Sequence, residues 1–434
     1  MKNSGLSIAG SSEGRSIVRL TTARVTIIVL ALVVLLSGLY FAGKSGGNAE
    51  VYSNDFSVYY HAAREVIAGR DPYQHSLGDW TPYIYPPLLA ELIVPLAILP
   101  LPVAAYFWFL INAASIVAAA WMSARLASDG REPDSAALKV SVPESSSWRA
   151  AIAACAVVIV IRFVLDTFNL GQVNAMVAAL AVAHVYLYAR DRKALSAVAL
   201  VVAVSIKLTP ALLLLYHAAK LRLKFASACA ALLVAVTVVS FLPFGSDSVD
   251  AFRVFVNRTV KNEQGYDLAY AGNQSLRGAI ARLTDQPNEA SLSSEGDSRR
   301  PAEAVTLLIS IVLVAFAVFG AVRARSELAA AAPFFCCIVL LSPLSWKAHY
   351  VILILPVAHL VFRVKTSRKA RYLIAAALAA ASALFNLTSP RVIGLGAAEW
   401  ADAHSLVLAG ALLIFIACVA IAVTRKFGKQ PHLC

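Results

Sequence analysis

Charged residues are scarce in this chain of 434 residues: they make up 15% of it, whereas 59% is hydrophobic. A soluble domain carries about 25% charged residues. The composition therefore excludes a soluble globular enzyme and indicates a chain that lies mostly in lipid. The formal net charge of +13 would also suit nucleic-acid binding. Its basic residues sit in short clusters between apolar runs, however, as in cytoplasmic loops of membrane proteins, so no nucleic-acid partner is expected.

Motifs of nucleotide chemistry and of common hydrolases are absent from this chain or lack their usual context. It has no GxGxxG after a strand, no HExxH and no DxD pair in a loop. The string GLYFAGKS (38–45) has the Walker A spacing, and GSSEG (10–14) and GKSGG (43–47) have the GxSxG spacing, but GLYFAGKS and GKSGG lie at the end of an apolar run and none of the three follows a predicted strand. Its six cysteines form no CxxC pair and no Cys/His ligand spacing, and all but Cys434 lie in apolar runs. They are therefore interpreted as small core residues. We expect no cofactor, no metal and substrates that arrive from the lipid.

Apolar runs recur along the whole chain, and a spanning helix needs roughly 20 such residues. The first run follows three arginines without a convincing A-x-A site, so we expect a retained anchor rather than a cleaved signal peptide. The candidate spans are 25–42, 103–124, 150–167, 173–189, 194–219, 225–243, 302–322, 328–345, 349–363, 372–388 and 404–424.

Basic clusters orient these spans, because loops rich in Lys and Arg stay in the cytoplasm. Residues 194–219 connect two clusters and must therefore cross twice or dip in and return. Lys207 and Pro210 at their middle favour two half-helices. Residues 85–102, with five prolines and Glu91, favour a helix or hairpin lying against the membrane. The clusters occupy 2–24, 190–193, 220–224, 323–325, 363–371 and 425–429.

The sequence thus predicts an all-α polytopic membrane protein with about twelve crossings and both termini inside. We expect one domain over 1–434, with outer loops at 43–84 and 244–301 and a cytoplasmic linker at 125–149. Polar residues at membrane depth are costly and usually mark function. In this topology they gather on the outer side, which predicts an outward-facing active surface. They are Asp55, Asp166, Asn169, Gln172, Asn174, Lys207, Asn273, Gln274, Arg277, Trp346, Lys347 and His349.

Asp55 admits two interpretations of equal weight. It precedes residues at helical spacing (Val58, His61, Glu65), where an N-cap worth about 1 kcal/mol belongs. It could equally be a general base just above the bilayer, placed to deprotonate a hydroxyl. The tyrosines of the same loop either anchor the protein at headgroup level or stack on sugar rings.

Lys207 gives a sharper signal, because a lysine between apolar helices needs an anionic partner such as a lipid-borne phosphate. His349 is either a satisfied core histidine or part of the same site. Arg64 and Arg277 are candidate phosphate contacts or solvated surface charges. Arg162 and Asp166, four residues apart, are interpreted first as an internal ion pair.

Five strings in order resemble glycosyltransferase family 87, polyprenyl-phosphate-sugar-dependent enzymes of the GT-C class that include actinobacterial mannosyltransferases. The resemblance runs from about Asp55 to His359. One departure is Lys347-Ala348, where relatives often carry acidic or histidine-rich residues. The strings are NDFSVYYHAAREVIAGRDPY, YIYPPLLAELIVPLAILPLP, FNLGQVNAMV, SIKLTPALLLL and LSPLSWKAHYVILILP.

The resemblance implies a GT-C fold in a bacterial plasma membrane, an extracytoplasmic active site and a polyprenyl-phosphate sugar donor, typically mannose. The family's catalytic aspartate matches Asp55, and its KxTP and SWxxHY-type segments match Lys207 and His349, which are therefore expected at the donor phosphate. Arg277 is a further donor-phosphate candidate. The substrate-binding candidates are Tyr59, Tyr60, Arg64, Tyr85, Asn169, Gln172, Asn174, Asn273, Gln274 and Trp346.

The expected reaction is an inverting transfer to a lipid or glycan acceptor, with Asp55 as the base and Lys207 stabilising the phosphate leaving group. Two other functions stay open from the sequence. A transporter or lipid flippase would suit the broken helix and the mid-membrane lysine. A non-catalytic partner in envelope assembly would not need Asp55.

Overall fold

The computed structural model describes residues 32–43, 54–74, 82–129, 146–259, 267–284, 299–367 and 369–423, and all regular structure within these ranges is helical. In chain order the helices are α1 (Leu32–Gly43), α2 (Asp55–Ile67), α3 (Pro87–Ala97), α4 (Leu101–Asp129), α5 (Ser146–Ile159), α6 (Ile161–Leu170), α7 (Asn174–Tyr188), α8 (Lys193–Ile206), α9 (Leu212–Ala219), α10 (Leu223–Phe241), α11 (Ser248–Thr259), α12 (Leu276–Thr284), α13 (Arg299–Arg323), α14 (Glu327–Leu340), α15 (Ile354–Thr366), α16 (Arg371–Asn386), α17 (Pro390–Ile393), α18 (Leu395–Ala403) and α19 (Leu406–Val423). Three 3-10 segments connect some of them: Thr209–Ala211, Leu242–Asp247 and Lys347–Leu353.

Five helical stretches are long and apolar enough to cross a membrane. They are α4, Leu223–Thr259, Pro301–Arg323, Lys347–Thr366 and α19. Helices α5 and α6, bent by 65°, add a sixth if the pair counts as one span. The other apolar helices have 10–17 residues. The all-α polytopic class is confirmed, while the prediction of about twelve crossings compares with five or six full-length spans in the described part of the chain.

The interruption predicted within residues 194–219 is present. Helix α8 ends at Ile206, Lys207 has extended backbone, and a 3-10 turn containing Pro210 leads into α9. Proline lacks the N–H that would continue the helix. Residues 85–102 divide into α3 and the start of α4, and α3 packs against α2. Pro86 and Pro87 begin α3, where an unpaired N–H is tolerated.

Two hydrophobic cores of the described chain meet along α7. The larger one surrounds α14, in which every residue from Leu328 to Leu340 is buried. The smaller one joins α2, α3 and the beginning of α4 to Val173 and Val177. Because α7 borders both cores, its first turn and the end of α8 lie at the junction between them.

The residues predicted on opposite sides of the membrane lie at opposite ends of the helices. Helix α7 and helix α8 run antiparallel, so Tyr188 and Lys193 share one end, and Asn174 and Ile206 share the other. At the first end Asp129 pairs with Arg149 at 3.0 Å and with Arg190 at 2.6 Å, so two predicted cytoplasmic segments join there. The second end holds the polar residues considered next.

Candidate active site

Asp55 is the first residue of α2 but does not cap it. The cap is Asn54, whose side-chain oxygen accepts a hydrogen bond from the Ser57 amide at 3.3 Å. The Asp55 carboxylate instead accepts a hydrogen bond from the Gln172 side chain. The N-cap interpretation of Asp55 is therefore wrong, and its carboxylate is turned toward the α6–α7 turn.

That turn depends on Gly171, whose φ of +63° lies in the left-handed region that favours glycine. A Cβ on Gly171 would lie 2.9 Å from the Phe56 Cβ and 3.1 Å from the Asn54 Nδ2. The Trp108 indole donates to the Gly171 carbonyl at 2.8 Å. The turn thus packs directly on the start of α2, which brings Gln172 to Asp55.

A directional chain of hydrogen bonds connects Asp55 to Lys207. The Lys207 ammonium donates to the Asn174 Oδ1 at 2.9 Å, and the Asn174 Nδ2 donates to the Gln172 Oε1. Because the Gln172 oxygen is an acceptor here, its amide nitrogen is the donor to Asp55. Asn174 and Gln172 are buried, so the chain runs through protein and ends on a cation and a carboxylate.

His349 holds the Lys207 ammonium from a second direction. Its Nε2 lies 2.8 Å from the Lys207 Nζ, and its ring also hydrogen-bonds the Leu344 carbonyl. An imidazole that donates to Leu344 through one nitrogen presents an acceptor at the other, so the ammonium donates to Nε2. A small cavity lies beside these groups, and its lining residues are Asn174, Val177, Lys207, Thr209, Ile338, Val339, His349 and Ile352.

Two tyrosines border the same site. The Tyr59 hydroxyl donates to the Tyr85 hydroxyl at 3.0 Å, and the Tyr85 ring centre lies 6.0 Å from the Lys207 Nζ. Tyr59 is fully buried and Tyr85 is half-buried. Since successive helix residues are about 100° apart, Tyr59 shares the face of Asp55, four residues earlier.

Other predicted residues lie away from this chain of contacts. The Tyr60 hydroxyl donates to the Leu99 carbonyl at 2.8 Å, and Arg64 donates to the Ala97 carbonyl at 3.4 Å, so both fasten α2 to the end of α3. Arg64 follows Asp55 by nine positions and lies on the opposite face of the helix. Arg277 pairs with Glu303 at 3.3 Å at the start of α12.

The predicted residues of the second outer loop mainly support the backbone. Asn273 and Gln274 are fully buried. The Asn273 Oδ1 accepts from the Ser345 amide at 3.0 Å, and the Gln274 amide nitrogen donates to the Asp402 carbonyl at 2.8 Å. Trp346 contacts the ring of Tyr270, and its carbonyl accepts from the His349 amide. Asn169 lies near the end of α6.

The expected Arg162–Asp166 ion pair is replaced by other contacts. The Arg162 guanidinium donates to the Phe385 carbonyl at 3.0 Å and to the Thr388 hydroxyl at 2.7 Å, and within the described residues no ion pair joins it to Asp166. Sequence reasoning also missed Asp402, which pairs with Lys347. Asp402 lies between the predicted spans 372–388 and 404–424, and no sequence signal pointed to its pairing with Lys347.

The environment of Asp55 suits a proton acceptor. Burial raises the pKa of Asp55 above its ordinary value, while the Gln172 hydrogen bond and the Lys207 charge counteract part of that rise. A base is most effective when its pKa lies near the operating pH. Within the described ranges, no group of three or more His, Cys, Asp or Glu side chains could hold a metal ion.

The apolar helices and the carboxylate–lysine site beside a cavity together define the class of this molecule, a helical membrane protein with a buried polar centre. The profile of glycosyltransferase family 87 matches residues 83–343, more than half of the chain, and the chain belongs to this family. The family resemblance inferred from the sequence is thereby confirmed.

Similar proteins come from mycobacteria. One is a polyprenol-phosphate-mannose-dependent alpha-(1-2)-phosphatidylinositol pentamannoside mannosyltransferase of Mycobacterium tuberculosis (strain CDC 1551 / Oshkosh), 27% identical over 77% of this chain and 71% of the relative. Another is a polyprenol-phosphate-mannose-dependent alpha-(1-2)-phosphatidylinositol mannoside mannosyltransferase of Mycolicibacterium smegmatis, 27% identical over 73% of this chain and 71% of the relative.

Replacing Gly171 with alanine should destabilise the protein and separate Gln172 from Asp55. A left-handed backbone costs an L-residue about 1–2 kcal/mol, and the added Cβ would also collide with Phe56. We expect a lower melting temperature for the purified Gly171→Ala protein in detergent than for Gly69→Ala. Gly69 has a similar φ of +68° but open space around it. Equal melting temperatures for the two variants would contradict the packing argument.

Proposed function

We propose that this chain transfers a mannosyl group from a polyprenyl-phosphate donor to a lipid or glycan acceptor at the extracytoplasmic face of the plasma membrane. One observation carries the proposal: the hydrogen-bonded chain that joins the Lys207 ammonium to the Asp55 carboxylate beside a cavity. Membership of family 87 supports sugar transfer, and the mycobacterial relatives are named for polyprenol-phosphate mannose. The whole chain, 1–434, is then one GT-C-like domain.

The orientation follows from charge placement. Arg190, Arg222 and the other basic clusters belong in the cytoplasm by the positive-inside rule. Arg190 and Asp55 lie at opposite ends of the helices, since Arg190 follows the end of α7 whereas Gln172 precedes its start. In this proposal, residues 43–84 and 244–301 are outer loops, 125–149 is a cytoplasmic linker, and the Asp55 site faces outward.

Lys207 is the proposed contact for the donor phosphate. An ammonium has three N–H donors, and Asn174 and His349 accept two of them. The third is available to a phosphate oxygen in the adjoining cavity. The sugar attached to that phosphate would lie near the Tyr85 ring, and His349 would keep the ammonium in position. Negative charge that develops on the leaving phosphate would be stabilised there.

Asp55 is the proposed base. The acceptor hydroxyl oxygen attacks the anomeric carbon while the bond from that carbon to the phosphate oxygen breaks. The bonding electron pair leaves with the polyprenyl phosphate, and the hydroxyl proton passes to Asp55. A single displacement inverts the anomeric centre. One carboxylate suffices, because a phosphate leaving group needs little protonation, unlike the leaving groups of glycoside hydrolysis.

Asp55→Asn should abolish transfer while the protein still folds. The amide keeps the size of the carboxylate and one acceptor oxygen for Gln172 but takes up no proton, so we expect a loss of at least about a hundredfold. Transfer from radiolabelled polyprenyl-phosphate-mannose by membranes that express each variant provides the measurement. Asp250→Asn, an exposed carboxylate on α11, is the matched control and should keep wild-type transfer. Undiminished transfer by Asp55→Asn would remove Asp55 from the mechanism.

The pH dependence of transfer should report Asp55. The rate should rise as pH increases through the raised pKa of Asp55, because only the carboxylate accepts the proton. Gln172→Leu removes a hydrogen bond that lowers the pKa of Asp55. The acid limb of kcat/KM should therefore move to higher pH in Gln172→Leu and stay in place in Asp250→Asn. An acid limb that moves to lower pH in Gln172→Leu would refute Asp55 as the titrating base.

A further inference from the structure

A second cavity is bordered by the same stretch of chain that borders the Lys207 site, residues 338–343. The space within it is about 630 Å³, part of which is open to the surroundings, and it lies between the first turn of α12, the first half of α13 and the end of α14. Ile338 and Val339 line the Lys207 cavity, whereas Leu340 and Pro343 line this groove. One short segment therefore forms a wall of both.

The groove is charged at one end of its α13 wall and uncharged along the rest. Glu303, Thr306, Leu307 and Ser310 face it at helical spacing, which covers about 10 Å of helix at 1.5 Å per residue. The Thr306 and Ser310 hydroxyls donate to the carbonyls of the preceding turn at 2.7 Å, so they offer no unsatisfied donor to the groove. Only the end at Glu303 and Arg277 carries charge.

The charged end favours an anion. Arg277 stands in the first turn of α12, where the helix dipole is positive, and the Ser275 hydroxyl caps that helix by accepting from the Gly278 amide at 3.0 Å. Glu303 opposes an anion, but its side chain is 62% exposed and lies 3.3 Å from Arg277. A phosphate can therefore displace Glu303 from the guanidinium while Glu303 turns into solvent. A guanidinium binds phosphate well.

The groove is also accessible from the lipid. Helix α13 is a candidate membrane span, and its side chains next to the groove, Leu308 and Ile311, are 62% and 56% exposed. An occupant can thus enter sideways with its charged group at Arg277 and its apolar part along Leu307 and Leu340. This order of charge and apolar surface matches one molecule class, a lipid with a phosphate headgroup.

We propose that this groove binds a glycerophospholipid, with the phosphodiester at Arg277 and one acyl chain along α13, and that it anchors the acceptor of the transfer reaction. The acceptor role rests on the proposed function; the lipid site does not. Arg277 would then contact the acceptor phosphate rather than the donor phosphate expected from the sequence. Two lipid-borne substrates would then both lie against residues 338–343.

Photolabelling of the purified full-length protein tests the site. The probe is a phosphatidylinositol with a diazirine in one acyl chain, and labelled peptides are mapped by mass spectrometry. We expect label in α13 and in 338–343 of the wild type. It should fall at least fivefold in Ser310→Trp, which fills the groove, and in Arg277→Gln, which keeps much of the length of the partly exposed arginine but removes its charge. Arg253→Gln removes a similar exposed arginine paired with Asp250 and should label like the wild type.

The outcomes separate the groove from the enzyme activity. Label spread evenly over lipid-facing helices such as α10, or unchanged in both groove variants, would overturn the site even if mannose transfer proceeds. Groove label in a protein that transfers no mannose would keep the lipid site and overturn its role as an acceptor anchor. If both are present, Arg277→Gln should raise the KM for the lipid acceptor about tenfold without a matching fall in kcat.

Discussion

The site depends on how the Lys207 ammonium is held. Within the described residues, no carboxylate lies within ion-pair distance of it, and its hydrogen-bond partners, Asn174 and His349, are neutral. A charge removed from bulk water is costly unless it is paired or hydrogen-bonded. The nearest compensating charge acts through two amides, at Asp55. The two hydrogen bonds therefore fix the position of the Lys207 side chain. Because its charge has no directly paired carboxylate, the ammonium can still attract an anion into the cavity beside it.

The rest of the architecture keeps this arrangement together. Asp55 begins α2, which packs in the smaller core, and His349 lies in a segment buried in the larger one. The distance between the Lys207 ammonium and the Asp55 carboxylate therefore depends on how the two cores meet. The Gly171 turn joins them, since it packs on Phe56 and continues into Gln172 and Asn174. The side-chain amides of Gln172 and Asn174 lie between the Asp55 carboxylate and the Lys207 ammonium and so separate the two charges. If the Lys207 ammonium formed a direct ion pair with the Asp55 carboxylate, Asp55 would be less available as a base and Lys207 less available to a phosphate.

Local features of this site were accessible from the sequence. The break at Lys207 follows from Pro210 and from two basic clusters that one helix could not connect. Helix α2 follows from the spacing of its apolar residues. Asp55 was ambiguous because Asn54, directly before it, is an equally good cap. The roles of the two tyrosines and the arginine of α2 required one further step, the assignment of helix faces, which separates Tyr59 from Tyr60 and Arg64.

Long-range contacts were not accessible in this way. Lys207 and His349 are 142 positions apart, and nothing in either local string specifies that their side chains touch. Arg277 is a second example. Its charge and its place in a predicted outer loop suggested the donor site, but in the structure it pairs with Glu303 of α13. The count of about twelve crossings stays a prediction: several apolar segments of the described chain are helices of 10–17 residues, and hydropathy alone does not distinguish these from full spans.

The most direct test of the account is the equilibrium affinity of the purified protein for polyprenyl-phosphate-mannose in two variants, Lys207→Met and Asp55→Asn. If Lys207 holds the phosphate and Asp55 only accepts the proton, Lys207→Met weakens donor binding at least about tenfold, as expected for the loss of a charge-assisted contact. Asp55→Asn should bind the donor like the wild type. Wild-type affinity in folded Lys207→Met would contradict the assignment of Lys207 and, with it, the division of roles between the two charges.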